Sequence, residues 1–197
     1  MQLIQEKPDL SAYLASDEAI DHLHPLVRET AARLAAQATD SYVYAQAAYE
    51  FVRDTISHSA DSGDPRVTWR ASDVLAQGTG ICHAKAHALA ALLRAEDIPT
   101  ALSYQRLTHD VGSGHCVHGL VAVRLGGAWH RQDPRGNKPG VDARFSLAGE
   151  RLAFLPDAES NEMDYPVLYA APHPVVLRVM KEAPDRPYLW EHLPDAL

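Results

Sequence analysis

The residues best placed to do chemistry lie in the stretch Gly-Thr-Gly-Ile-Cys-His-Ala-Lys-Ala-His, residues 78–87. There a glycine-rich turn runs into an alanine- and leucine-rich segment, with one of the chain's two cysteines at the junction. A cysteine in the first turn of a helix feels the positive end of the peptide dipoles and the unpaired N–H groups beside it, and both favour thiolate over thiol. Gly78 and Gly80 let the backbone come close to a substrate, and the N–H of Cys82 is placed to stabilise a developing oxyanion. Cys82 is equally compatible with a small buried hydrophobe, because a cysteine without a fixed partner does not choose between the two.

A thiolate nucleophile needs a base to hold and return its proton, and the base needs a third group to fix its tautomer. His118 opens the segment His-Gly-Leu-Val-Ala-Val-Arg-Leu, and Asp133 follows Ala-Trp-His-Arg-Gln. Between them Gly126-Gly127 is a two-residue hairpin signal. If residue 125 faces 128 across that turn, residue 118 faces 135, and Asp133 lies within a couple of residues of His118. An imidazole and a carboxylate then meet across neighbouring strands.

Three separated motifs, Gly80-Ile-Cys-His-Ala-Lys-Ala86, Leu92-Leu-Arg-Ala-Glu-Asp-Ile-Pro99, and His118 with Trp129 and Asp133-Pro134, resemble the transglutaminase-like superfamily over about residues 40–137. The resemblance implies a papain-like fold with Cys82 as nucleophile, His118 as general base and acid, and Asp133 as the orienting carboxylate. No cofactor is expected. Members of that family often carry glycine before Ile-Pro, where this chain has Asp97, and an aromatic and an acidic residue after the histidine, where it has Leu120 and Ala122.

Other polar groups have weaker readings. Gln77 and Trp69 are candidates for a second oxyanion donor, through an amide or indole N–H, with a turn cap and core packing as the alternatives. His58 is a candidate border of the cleft, whereas Asp61 reads as part of a solvated loop. Cys116 shares pleat parity with His118 and either lines the site or packs beneath it. His115 has the opposite parity and follows Gly112-Ser113-Gly114, which predicts a mobile rim. His83, His87, His109, His115 and His130 lack Cys-x-x-Cys or His-Glu-x-x-His spacing, so they read as solvent-facing side chains and no metal site is assigned.

Elements that carry these groups follow from periodicity. Pro25–Gln37 and a segment from Asp40 or Ser41 to about Ile56 have helical spacing, and Tyr42, Tyr44, Tyr49 and Phe51 on the second read as packing. Residues 57–70 read as loop and Ser72–Leu75 as a short helix. Cys82–Glu96 has no proline or glycine and is a helix that should be central; Ile98-Pro99 ends it. Ala101–Leu107, Val117–Leu125 and a strand ending near Asp133 come next, and Val175–Val179 suggests one more. Helices followed by antiparallel strands give an α+β fold, with a cysteine-bearing helix packed on a small antiparallel sheet. We expect one domain over residues 1–197, its core at about 25–137 and an irregular covering segment at 138–197.

Net charge is −8, with 18 basic and 26 acidic residues, which disfavours nucleic acid and an anionic membrane surface as partners. No basic segment precedes a long apolar run, and two cysteines make no disulfide framework, so a soluble, cytoplasmic protein is expected. The chemistry points to a cysteine-dependent enzyme acting on a peptide or protein amide, a peptidase or amidase in preference to a cross-linking acyltransferase. The alternatives are a non-catalytic binding module of the same fold and, with less support, a thiol redox role. Oligomeric state is not legible.

Overall fold

A computed structural model of the chain describes residues 1–109 and 114–197, so the rim expected at residues 112–113 lies outside the described residues. The fold is α+β, with helices gathered ahead of an antiparallel sheet. A short strand β1 (Ile4–Gln5) and a 3-10 turn at Leu10–Leu14 come first. Helix α1 (Pro25–Ala35) has proline in its first turn, and α2 (Ser41–Thr55) is capped by Asp40, whose carboxylate accepts the N–H of Val43. Tyr44 and Tyr49 are buried on α2, as packing predicts, while Tyr42 is exposed and meets Phe145 edge-on.

Residues 57–70, expected as loop, begin with a strand β2 (Ser57–His58) and a single helical turn α3 (Ser59–Ser62). Helix α4 (Ala71–Gln77) is longer than expected and closes on Gly78, whose φ of 65° lies in the left-handed region that suits glycine. Strand β3 (Thr79–Gly80) pairs in parallel with β2, setting His58 opposite Gly80. This two-residue pairing is too short to register as alternation in the sequence.

Helix α5 (Cys82–Ala95) is buried from Cys82 to Arg94. It packs on α1, α2 and α4 along one side and on the sheet along the other. Alanines at 84, 86, 88, 90 and 91 leave room for neighbours all round without loss of helix propensity. Asp97 follows it with φ 57°, in the left-handed region that favours glycine.

The main sheet has strands β4 (Thr100–Thr108), β5 (His115–Leu125), β6 (Ala128–Gln132) and β7 (Met163–Asp164), in the order β6-β5-β4-β7. Leu125 faces Ala128 and Val121 faces Gln132, the register set by the Gly126-Gly127 turn. Leu102, Val117, Val121 and Val123 enter the core with α5, whereas Ala101 and Ala122 face a smaller cluster around Tyr13 and Leu168.

Beyond the sheet, β8 (Val167–Leu168) pairs with β1. The strand expected at Val175–Val179 is instead part of helix α6 (Pro174–Glu182). Its β-branched run suggested a strand, but Pro174 starts a helix and Val176 and Met180 bury a stripe four residues apart. A last helix α7 (Arg186–Glu191) is capped by Asp185. Among the described residues no helix is long and apolar enough to cross a membrane.

Candidate active site

Cys82 is the first residue of α5, and no side chain caps the N-terminus of that helix, so its first-turn N–H groups remain available to an anion at the sulfur or beside it. Cys116, Val117 and His118 all line a cleft of about 450 Å³ together with Cys82. The His118 Nε2–H donates to Asp133 Oδ2 at 2.8 Å. Its Nδ1 is left for the Cys82 sulfur, which interacts with His118 and with the N–H of Gly119. All three side chains are at least nine-tenths buried.

Asp133 is held from several directions. Its Oδ1 accepts the N–H of Arg135 at 3.1 Å, its Oδ2 also accepts the N–H of Ala153 at 3.2 Å, and its carbonyl accepts the Tyr49 hydroxyl at 2.9 Å. Burial raises the cost of its charge, but the His118 cation, its hydrogen bond and those two backbone N–H groups outweigh that and keep the carboxyl below its ordinary value. Burial likewise disfavours charge on His118, yet Asp133 and the Cys82 sulfur together push its pKa up to about 10. For Cys82, burial opposes ionisation, and the His118 cation and the hydrogen bonds from His118 and Gly119 prevail, so the thiol is lowered. The three shifts all act in favour of one charge state: thiolate, imidazolium, carboxylate. Such a set can attack a carbonyl carbon and deliver a proton to the group that leaves.

His58 reaches the same cleft from β2. Burial, then the Arg135 charge, lowers its pKa to about 3, so it is neutral at ordinary pH. Its Nδ1 has no hydrogen-bond partner and sits 3.8 Å from Asp61, beyond hydrogen-bond range. Asp61 is not simply a solvated loop residue, because it accepts a two-pronged hydrogen bond from Arg135 at 2.7 and 3.0 Å and another from Lys138 at 3.0 Å.

The remaining sequence candidates lie elsewhere. Gln77 is exposed at the end of α4 and does not line the cleft. Trp69 is half-buried away from it, with Arg70 over its ring and its carbonyl accepting from His87 Nδ1 at 2.8 Å. Gly80 is buried, and its missing side chain serves packing: a Cβ there would lie 2.7 Å from Ala84 Cβ and 2.9 Å from Thr68 Oγ1. His83 and His87, expected in solvent, are buried within α5. His83 Nε2–H donates to the Val117 carbonyl at 2.9 Å, so helical spacing had set these rings toward backbone acceptors no periodicity reveals. His109, His115 and His130 are half-buried, and His115 turns to the Ser160 carbonyl.

Cleft walls that the sequence did not mark are Leu107, Phe154, Leu155, Trp190 and Leu193. Phe154 stands edge-on to His118, with ring centroids 5.3 Å apart. Leu107 ends a strand that the sequence did mark; for the other four the available signal was apolar character within a segment otherwise rich in proline and charge.

No curated protein matches the chain. Among solved structures it is similar to a candidate cysteine protease from Cytophaga hutchinsonii, with TM-score 0.55 and 19% identity over 66% of this chain and 43% of that one. It is more distantly similar to a candidate protease from Parabacteroides distasonis (TM-score 0.41, 17% identity, 64% of this chain and 26% of that one). A protein described as a TGase gives TM-score 0.41 at 17% identity over 65% of this chain and 34% of that one. The chain thus spans less than half the length of each of these proteins, and at such identity the first likeness speaks for the fold alone. A family model described as the transglutaminase-like superfamily matches residues 28–134, more than half the chain. With that match spanning α5, strands β4 to β6 and the Cys82, His118 and Asp133 positions, the chain belongs to the transglutaminase-like superfamily.

Proposed function

We propose that the protein is a cysteine-dependent acyl-transfer enzyme that cleaves a peptide or protein amide through a thioester on Cys82, with water as the ordinary acceptor. The observation that carries this reading is the 2.8 Å hydrogen bond from His118 Nε2 to Asp133, which leaves the other ring nitrogen for the Cys82 sulfur at an uncapped helix N-terminus.

The Cys82 thiolate attacks the carbonyl carbon; a C–S bond forms and the carbonyl π electrons move to oxygen. The Cys82 N–H stabilises that oxyanion, and the neutral His58 ring, which lines the same cleft, is the candidate second donor. His118 passes its Nδ1 proton to the amide nitrogen as the C–N bond breaks and the amine departs. It then takes a proton from water as the hydroxide oxygen attacks the thioester, and the thiolate leaves with the bonding pair. A primary amine in place of water gives transamidation through the same thioester.

Peptide, glutamine and isopeptide amides, assayed with and without a primary amine, test the reading. Turnover that disappears in Cys82→Ala is expected. Absence of turnover across the panel, together with equal and slow alkylation of Cys82 and Cys116 near neutral pH, overturns it.

A further inference from the structure

The cleft contains a piece of the protein's own chain. β6 ends opposite Val121, so the stretch of β5 from His115 to Leu120 has β4 as its strand neighbour on one side only among the described residues. There the Val117 N–H, next to His118, donates to the Pro194 carbonyl at 2.8 Å. The preceding Leu193 lines the cleft alongside Cys82 and His118, as does Trp190, which stands edge-on to His58 at 6.0 Å between ring centroids. Arg106 Nε–H donates to the Asp195 carbonyl at 2.8 Å.

A main-chain carbonyl bonded to a strand N–H, with the adjacent side chain in a pocket, is how an extended peptide docks on a sheet edge. Glu191, His192, Asp195 and Ala196 are exposed, and Leu193 and Pro194 are half-buried. Trp190, Leu193 and Leu197 pack on the main core, but residues 194–195 meet the sheet, among the described residues, through just the two carbonyl hydrogen bonds named above, so that stretch opens locally. The pocket around Leu193 is completed by Leu107, Phe154 and Leu155, the last 80% exposed and open to an incoming chain.

We propose that the cleft binds an extended peptide bearing a large aliphatic side chain, and that residues 192–195 occupy this subsite and compete with that peptide. The proposal names the substrate class for the active-site reading above and rests on it. The Val117 N–H supplies the main-chain register beside His118, and the apolar walls select leucine-like over charged side chains. The segment must leave before such a substrate is seated.

The test uses the full chain in a Cys82→Ala background, which prevents turnover, with a fluorescein-labelled peptide His-Leu-Pro-Asp as probe. Adding Leu193→Ser weakens the internal competitor, so the probe should bind about tenfold more tightly, the factor expected from losing part of one leucine's burial. The matching His-Ser-Pro-Asp peptide should bind at least about tenfold more weakly than the leucine peptide, a contrast again set by one buried apolar side chain. Unchanged or weaker binding after Leu193→Ser, or no preference for leucine, overturns the proposal. Because binding is read without reactivity, these results stand apart from the active-site reading, which is tested separately by alkylation of Cys82 in the unsubstituted protein. A melting curve for Leu193→Ser matching its parent shows that the fold is retained, as the half-buried position predicts.

Discussion

At the scale of single residues, the site is a charge arrangement in which each member makes the others' ionisation favourable. Asp133 holds His118 protonated, and His118 holds Cys82 ionised, against the burial that opposes all three charges. The reactive form is therefore present between the lowered thiol value and about pH 10, where His118 gives up its proton. Iodoacetamide labelling of Cys82 should therefore show a pH midpoint below the ordinary thiol value of about 8.5. In His118→Ala the midpoint should move up to about 8.5 or above, because burial then acts without the imidazolium to offset it. Identical pH profiles in the two proteins would mean that no ion pair exists. Asp133→Asn keeps the shape but loses the charge, so kcat should fall by about a hundredfold or more with KM nearly unchanged. A loss confined to KM would assign Asp133 a binding role instead.

At the scale of elements, α5 is a hub whose buried polar side chains are tied to carbonyls of the segments around it. His83 reaches Val117, His87 reaches Trp69, Lys85 reaches Arg53 and Ile56, and Arg94 reaches Ala15, Thr100 and Ala170. Each bond pairs a buried side-chain donor with a backbone acceptor and also fixes where the helix tip, and so Cys82, points. Arg94→Leu leaves three carbonyls without this donor, and chemical denaturation should show a loss of about 3 kcal/mol or more. A loss under about 1 kcal/mol would show that water replaces the guanidinium at little cost.

The seam between α5 and β5 depends on Gly119, where a Cβ would lie 2.3 Å from His83 Nδ1. Gly119→Ala should destabilise by about 2 kcal/mol through overpacking and slow Cys82 alkylation. Adding His83→Ala should recover part of both losses, because the clash is with that ring. Additive losses in the double variant would place the strain elsewhere.

At the scale of the whole molecule, the buried histidines link folding to pH. His58 and His83 have folded pKa values of about 3, both through burial first, against about 6.5 in the unfolded chain. Below about pH 6.5 the unfolded state therefore binds these protons first, and stability falls on acidification by about 1.4 kcal/mol per pH unit for each histidine, down toward pH 3. His118 works the other way: its raised value adds stability that is complete below about 6.5 and is lost as pH rises through about 10. Urea midpoints should accordingly drop between pH 7 and pH 5; a midpoint that holds steady or rises over that interval contradicts the burial of neutral imidazoles. The sequence alone determined the parts of this protein that are local. Helical spacing marked α1, α2 and α5, the junction at residues 78–82 put Cys82 at a helix start, and one diglycine turn fixed the register that draws Asp133 toward His118. Those features follow from backbone geometry over a few residues. Only the tertiary structure decided that His83 and His87 are interior, that Gln77 and Trp69 stand outside the cleft, and that Phe154, Leu155 and Leu193 wall it. A side chain that bonds a distant carbonyl, or an apolar residue that covers a distant cleft, leaves no period in the sequence, because its partner is set by packing rather than by spacing.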